Sequence, residues 1–127
     1  MVDGMAPNML TVDVEDYFHV AAFESTISRS EWRHLPSRVE RNSERLLEIF
    51  DGYGVKGTFF ILGWVAEKYP QLITKISDAG HEIASHGYSH SLIYRQNLKE
   101  FREETHRAKK LLEDTSGKEI SGYRAAS

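Results

Sequence analysis

Apolar positions along this chain switch several times between compact runs and a helical period, and each switch marks a boundary between elements. Met9 to Val14 is a short apolar run with β-branched residues that ends in acids, which predicts a buried strand with a polar C-terminal end. Tyr17 to Pro36 then reads as a long loop. Ser37 and Glu40 have capping-box spacing, and Val39, Leu46, Leu47 and Phe50 recur at helical intervals until Gly52 and Gly54 end the segment.

A second strand is predicted over Lys56 to Leu62, followed by a helical pattern over Trp64 to Ala79 that Pro70 restarts at a first turn. Gly80 stands where a helix C-terminus takes a left-handed residue; His81 to Ser85 reads as a third strand and His86 to Gln96 as a loop. Asn97 with Glu100 opens a third helix, with Leu98, Phe101, Ala108 and Leu112 on one face and Gly117 at its close. Ile120 to Arg124 begins a fourth strand. The order β-α-β-α-β-α-β predicts an α/β fold with parallel strands and right-handed crossovers. Its chemically loaded segments fall at the strands' C-terminal ends, where such folds bind ligands.

Composition narrows the picture. A chain of 127 residues, 40% hydrophobic and 28% charged, is one soluble globular domain over 1–127, without internal repeat, linker or low-complexity tract. A formal net charge of -3 lacks the positive field that phosphate backbones require, so nucleic acid is not an expected partner. The basic residues of Arg102 to Lys110 are interleaved with Glu103 and Glu104 and read as a solvated helix face. Without cysteine there is no disulfide or thiolate chemistry, and any metal must be held by nitrogen and oxygen. The longest apolar stretch, Phe59 to Ala66, is far short of the ~20 residues of a membrane span. Met1 to Asn8 has no basic region followed by an apolar core, so the chain as written is expected to be cytoplasmic.

The candidate chemistry lies at two strand ends. His86 and His90 are four residues apart just after the third strand, a spacing that lets both imidazoles face one divalent ion such as zinc, with Gly87 easing the bend. Asp13, Glu15 and Asp16 crowd the end of the first strand. One acid there could simply cap the next segment, but three within four residues repel each other unless a cation offsets the cost. Period-two alternation puts Asp13 and Glu15 on one face and Asp16 on the other, so one acid can ligate a metal while a neighbour takes a proton. Arg124, at the end of the fourth strand, can orient that carboxylate. His81 reads as structural, and His19, His34 and His106 as surface residues, with His19 near enough to the acids to touch a substrate. Tyr17, Phe18, Trp64, Tyr88, Tyr94 and Tyr123 gather toward the same end; Trp64 reads as core, whereas Tyr88 and Tyr94 can line a groove.

In order, Thr-Val-Asp-Val-Glu-Asp-Tyr-Phe at 11–18, Gly-Thr-Phe-Phe at 57–60, Gly-His-Glu-Ile-Ala-Ser-His-Gly-Tyr-Ser-His at 80–90 and Gly-Tyr-Arg at 122–124 resemble the polysaccharide deacetylase (NodB-homology, carbohydrate esterase) family. The first motif is similar to a variant branch related to exopolysaccharide-associated, peptidoglycan-deacetylase-like and allantoinase-like members. The resemblance implies the N-terminal half of a distorted (β/α) barrel, truncated after the third motif, and a divalent metal, usually zinc, that activates water against the N-acetyl group of a glycan. It implies Asp13 as the base, Arg124 as its tether, His86 and His90 as metal ligands and Glu15 as the third ligand, with Asp16 as the competing choice. A proline expected soon after the arginine is replaced by Ala125-Ala126, and a general-acid histidine would lie beyond Ser127. A homodimer or a missing C-terminal segment is expected to complete the sheet. The alternatives are an allantoinase-like cyclic amide hydrolase and a non-catalytic module that binds glycan or protein.

Overall fold

The computed structural model describes residue 4 and residues 6–127; half of the Met1 to Asn8 stretch read above lies outside the described residues. Three parallel strands, β1 (Thr11–Val14), β2 (Thr58–Ile61) and β3 (Glu82–Ser85), lie side by side in sequence order. Between and after them run α1 (Val39–Gly52), α2 (Gly63–Lys68), α3 (Pro70–Asp78) and α4 (Leu98–Ser116). Sequential order without reversal is how the strands of a (β/α) barrel follow one another, and it differs from the doubly wound sheets, in which the order turns back.

Register separates two faces of the sheet. Asp13 aligns with Phe60 and Ala84, Thr11 with Thr58 and Glu82, and Val14 with Ile61 and Ser85. Val14, Phe59, Ile61 and Ile83 point toward the helices, where Leu72, Ile73, Ile76 and Leu112 complete a core closed to solvent. The opposite face carries Thr11, Asp13, Thr58, Phe60 and Glu82, and Thr58 Oγ1 donates to Glu82 Oε2 at 3.0 Å. Chemistry-bearing side chains therefore share a face that the helices leave free.

Local chemistry sets most boundaries as expected. Pro70 starts α3 after a break at Tyr69. Asn97 Oδ1 accepts from Glu100 N while Glu100 Oε2 accepts from Asn97 N, so α4 opens on a full capping box, and Gly117 ends it at φ 69°. No helix among the described residues is long and apolar enough to cross a membrane.

Four expectations need correction. The Tyr17 to Pro36 segment is not a plain loop: it forms 3-10 turns at Tyr17–His19, Ala21–Phe23 and Arg29–His34, because Trp32 is buried against Phe18, His19 and Trp64 and pins the segment to the body. The Ser37/Glu40 capping box does not form. Instead Asp16 Oδ2 accepts from Ser37 Oγ, Arg38 N and Val39 N at 2.6, 2.9 and 3.2 Å, so a carboxylate from the end of β1 caps α1 from 22 residues away. The fourth strand is reduced to one parallel bridge, Ser85 with Tyr123, because only Ser85 N to Gly122 O and Arg124 N to Ser85 O form the ladder. Finally, Leu98 is 73% exposed, since α4 turns its first residue away from the core that Ala108 and Leu112 enter.

Candidate metal centre

The end of β1 and the turn after β3 bring Glu15, His86 and His90 together, one ligand atom from each lying within 4.8 Å of the others. Glu15 Oε2 sits 3.3 Å from His86 Nε2 and 3.0 Å from His90 Nε2. Both imidazoles are 3% exposed and the Glu15 side chain 20%. The turn that aims them needs unusual backbone: Gly87 has φ 78°, which glycine takes freely, and His90 has φ 58°, rare for a side-chain-bearing residue and common at functional sites.

Proton placement makes the cluster unusual. His86 Nδ1 donates to Arg124 O at 2.7 Å, which turns the lone pair of a neutral Nε2 toward Glu15. An imidazole lone pair would then face a carboxylate oxygen, an arrangement that repels unless a positive charge lies between them. Among the described residues, Glu15 Oε2 is buried without a hydrogen bond of good geometry, and His90 Nδ1 likewise has no partner. Burial opposes the charge on Glu15, but the short-range pull of His86 and then His90 outweighs it and holds the carboxyl at about 2. Burial also opposes an imidazolium at His86, yet Glu15, the Arg124 carbonyl and Asp13 together raise its pKa above the ordinary range.

A divalent ion fits the same observations. Bonds of about 2.1 Å at tetrahedral angles put ligand atoms roughly 3.4 Å apart. The 3.0 and 3.3 Å separations from Glu15 Oε2 are close to that spacing, and two imidazole nitrogens with one carboxylate oxygen form a donor set that zinc accepts.

Asp13 lies on the same open face, two residues before Glu15. Arg124 Nη1 donates to Asp13 Oδ1 at 2.7 Å and Nη2 to Thr11 Oγ1 at 3.1 Å, while the guanidinium carbon stands 4.1 Å over the Phe60 ring. Thr11 and Phe60 were not singled out in the sequence; their period-two relation to Asp13 and the strand register are the signals that point to them. Asp16 takes no part in the cluster. It is 3% exposed, Tyr17 N donates to its Oδ1, and its Oδ2 caps α1, so Glu15 is the acid that meets the imidazoles.

The remaining sequence candidates fall elsewhere. His19 is not a surface residue: it is 1% exposed, its Nδ1 accepts from Asp16 N at 2.7 Å, and it is enclosed by Phe18, Trp32 and Trp64. His81 is buried, accepting from Gly57 N against Phe50 and Phe59, a structural role. His34 and His106 are exposed. Tyr88 lines a cleft of about 910 Å³ between the Arg29–His34 segment and α4, whereas Tyr94 is 80% exposed and does not line it. This cleft contains none of Glu15, His86 and His90; a smaller one of about 210 Å³, between β1 and the start of α1, is lined by Asp13 and Glu15 but by neither histidine, so neither cavity encloses the cluster.

Comparison with known proteins identifies the family of the chain. Residues 33–127 match the family model described as polysaccharide deacetylase, and the chain belongs to that family. The match begins after Asp13 and Glu15. A peptidoglycan-N-acetylglucosamine deacetylase of Bacillus cereus is 34% identical over 73 residues, which cover 58% of this chain and 26% of that protein. The chain thus spans about a quarter of that relative's length. A Mycobacterium smegmatis crystal structure assigned to the polysaccharide deacetylases is 31% identical, with a TM-score of 0.76 over 93% of this chain and 42% of that one. A mutant of BA3943 from Bacillus anthracis, described as a CE4 family pseudoenzyme with restored enzymatic activity, is 25% identical, with a TM-score of 0.67 over 69% of this chain and 32% of that one.

Proposed function

We propose that this chain carries the metal-binding part of a metal-dependent N-deacetylase that removes acetyl groups from an N-acetylated glycan of the peptidoglycan kind. The supporting observation is the convergence of three electron-rich atoms, Glu15 Oε2 and the two Nε2 atoms, around a point that requires positive charge. Glu15, His86 and His90 would hold the ion, with zinc the best match to the donors. A bound divalent ion polarises a carbonyl and lowers the pKa of its water from 15.7 toward about 7.

The chain's own residues supply the rest. Asp13 accepts a proton from the attacking water, with one oxygen held by Arg124 and the other left to take the proton. Thr11 and Phe60 fix the guanidinium, so the base keeps its direction. The Arg124 carbonyl holds the proton of the neutral His86 ring on Nδ1, so that Nε2 is the nitrogen that would face an ion. One residue, Arg124, therefore orients the base through its side chain and a ligand through its backbone.

The allantoinase-like and non-catalytic readings have less support, because the named relatives include a peptidoglycan deacetylase. The BA3943 pseudoenzyme is the reason to measure metal uptake and turnover separately. We also expect further chain or a second copy to cover the outer edge of β1, and sedimentation as a compact monomer counts against the second copy. The decisive assay follows acetate release from N-acetylated chitooligosaccharides and peptidoglycan fragments alongside zinc content. Asp13→Asn should keep zinc and lose acetate release; Glu15→Ala should lose both. Full zinc uptake by Glu15→Ala sinks the proposal.

A further inference from the structure

The turn that carries both histidines rests on the first turn of α2. Gly63 N donates to Gly87 O at 2.8 Å and Trp64 N to Tyr88 O at 3.0 Å. A helix start leaves such amides without partners inside the helix. Here the junction after β2 and the turn after β3 satisfy each other, and His86 N adds a bond to Ile61 O at 3.0 Å.

The approach leaves no room for a side chain. A Cβ at Gly63 would stand 2.5 Å from Tyr88 Cδ2 and 3.3 Å from the Cα and Cβ of Ala108 on α4. Gly63 is not among the positive-φ glycines, so space rather than backbone conformation requires it. Nor is the Tyr88 ring free to swing aside. Its hydroxyl donates to Glu67, Arg107 Nη2 donates to the same oxygen at 2.9 Å, and the Arg107 guanidinium stacks 3.7 Å from the ring centroid. Tyr88 stands two residues from each histidine, so moving the ring moves the turn.

We infer that Gly63 is a positioning residue for the candidate metal centre: its missing side chain lets the Tyr88 ring seat between α2 and α4, and that seat sets where His86 and His90 point. This rests on the reading of Glu15, His86 and His90 as ligands. It makes a backbone position on a different strand-to-helix junction part of the ligand geometry.

A double-mutant cycle tests it, with zinc affinity measured by competition against a chromophoric chelator. Gly63→Ala should weaken zinc binding by about tenfold or more, the loss typical of groups that orient ligands. In Gly63→Ala/Tyr88→Ala the 2.5 Å clash with the ring is gone and only the 3.3 Å approach to Ala108 on α4 remains, so affinity should return to within about twofold of Tyr88→Ala alone, the margin expected when two sites no longer couple. A Gly63→Ala protein with a lowered melting temperature and unchanged zinc affinity overturns the inference. So does a double variant as weak as Gly63→Ala, and if Gly63→Ala fails to fold, the double variant against Tyr88→Ala decides alone. Should the unaltered chain take up no zinc, the ligand reading fails by itself. The seat is then tested in the metal-free protein through the His86 Nδ1 proton resonance. Gly63→Ala should speed its exchange with water, and an unchanged rate overturns the inference.

Discussion

His19 and His86 are almost equally hidden from solvent, at 1% and 3% exposure, yet their imidazoles shift in opposite directions. Burial among aromatic rings pushes His19 down to about 4, and the acids nearby, Asp16 first, only partly offset it. At His86 burial pushes the same way, but Glu15 and the Arg124 carbonyl face the two ring nitrogens and win. Burial alone marks a core histidine, and a buried acid facing the ring marks a site. The two residues belong to different parts of the molecule: His19 staples the Tyr17–His34 segment to the body, and His86 presents a nitrogen to a charge.

The largest expected effect removes the feature that separates them. Glu15→Ala should weaken zinc binding by more than about 100-fold, since even groups outside the ligand shell cost 10–100-fold. In the metal-free variant the His86 pKa, followed by NMR titration, should drop below the ordinary histidine value toward the behaviour of His19. A His86 pKa that stays raised would show that Glu15 is not its cause.

Asp16 offers the next contrast, because it neighbours Glu15 in sequence but serves the fold. Asp16→Ala removes the acceptor for Ser37 Oγ, Arg38 N, Val39 N and Tyr17 N, and should cost about 3 kcal/mol in urea unfolding with zinc affinity nearly unchanged. Loss of zinc binding in a folded Asp16→Ala protein would reverse the assignment of the two acids.

Alternation at the end of β1 placed Asp13 and Glu15 on one side and Asp16 on the other, and that period was legible because a strand end obeys it. What Asp16 does instead was hidden: its partners lie at 37–39, and no local pattern encodes a cap reached from another element. The Ser37/Glu40 spacing even pointed to a rival cap, and the long-range carboxylate displaced it. His19 was misread for a related reason. The segment around it has no apolar period, and its burial comes from Trp32 folding back, a tertiary contact. Asp16 and His19 do share the reciprocal spacing of a cap, three residues apart, and that signal was available. The Asn97/Glu100 box and the Pro70 restart were legible because their partners are local.

The pH dependence of stability separates the two histidines next. His19 has a folded pKa of about 4, below the ordinary 6.5, so between these values the unfolded chain binds more protons. Its contribution is full above 6.5 and is lost as pH falls toward 4, on the order of 3 kcal/mol. His19→Asn, which keeps an acceptor for Asp16 N, should flatten that part of the urea midpoint's fall. The raised pKa of His86 has the opposite sign: its contribution in the metal-free protein is present below 6.5 and is lost as pH rises through the folded value.

The smallest effect on stability belongs to Arg124→Gln. Its ion pair with Asp13 is 40% and 37% exposed, so the change should cost less than about 1 kcal/mol. The backbone carbonyl that holds His86 remains, so zinc affinity should persist while acetate release falls. A fall in zinc affinity as large as that of Glu15→Ala would place the side chain, not the carbonyl, in control of His86.

The most direct measurement is anomalous scattering at the zinc edge from crystals of this chain grown with zinc. A single strong peak within bonding distance of Glu15 Oε2, His86 Nε2 and His90 Nε2 is the expected result. A peak at another group of side chains, or none at saturating zinc, contradicts the metal centre.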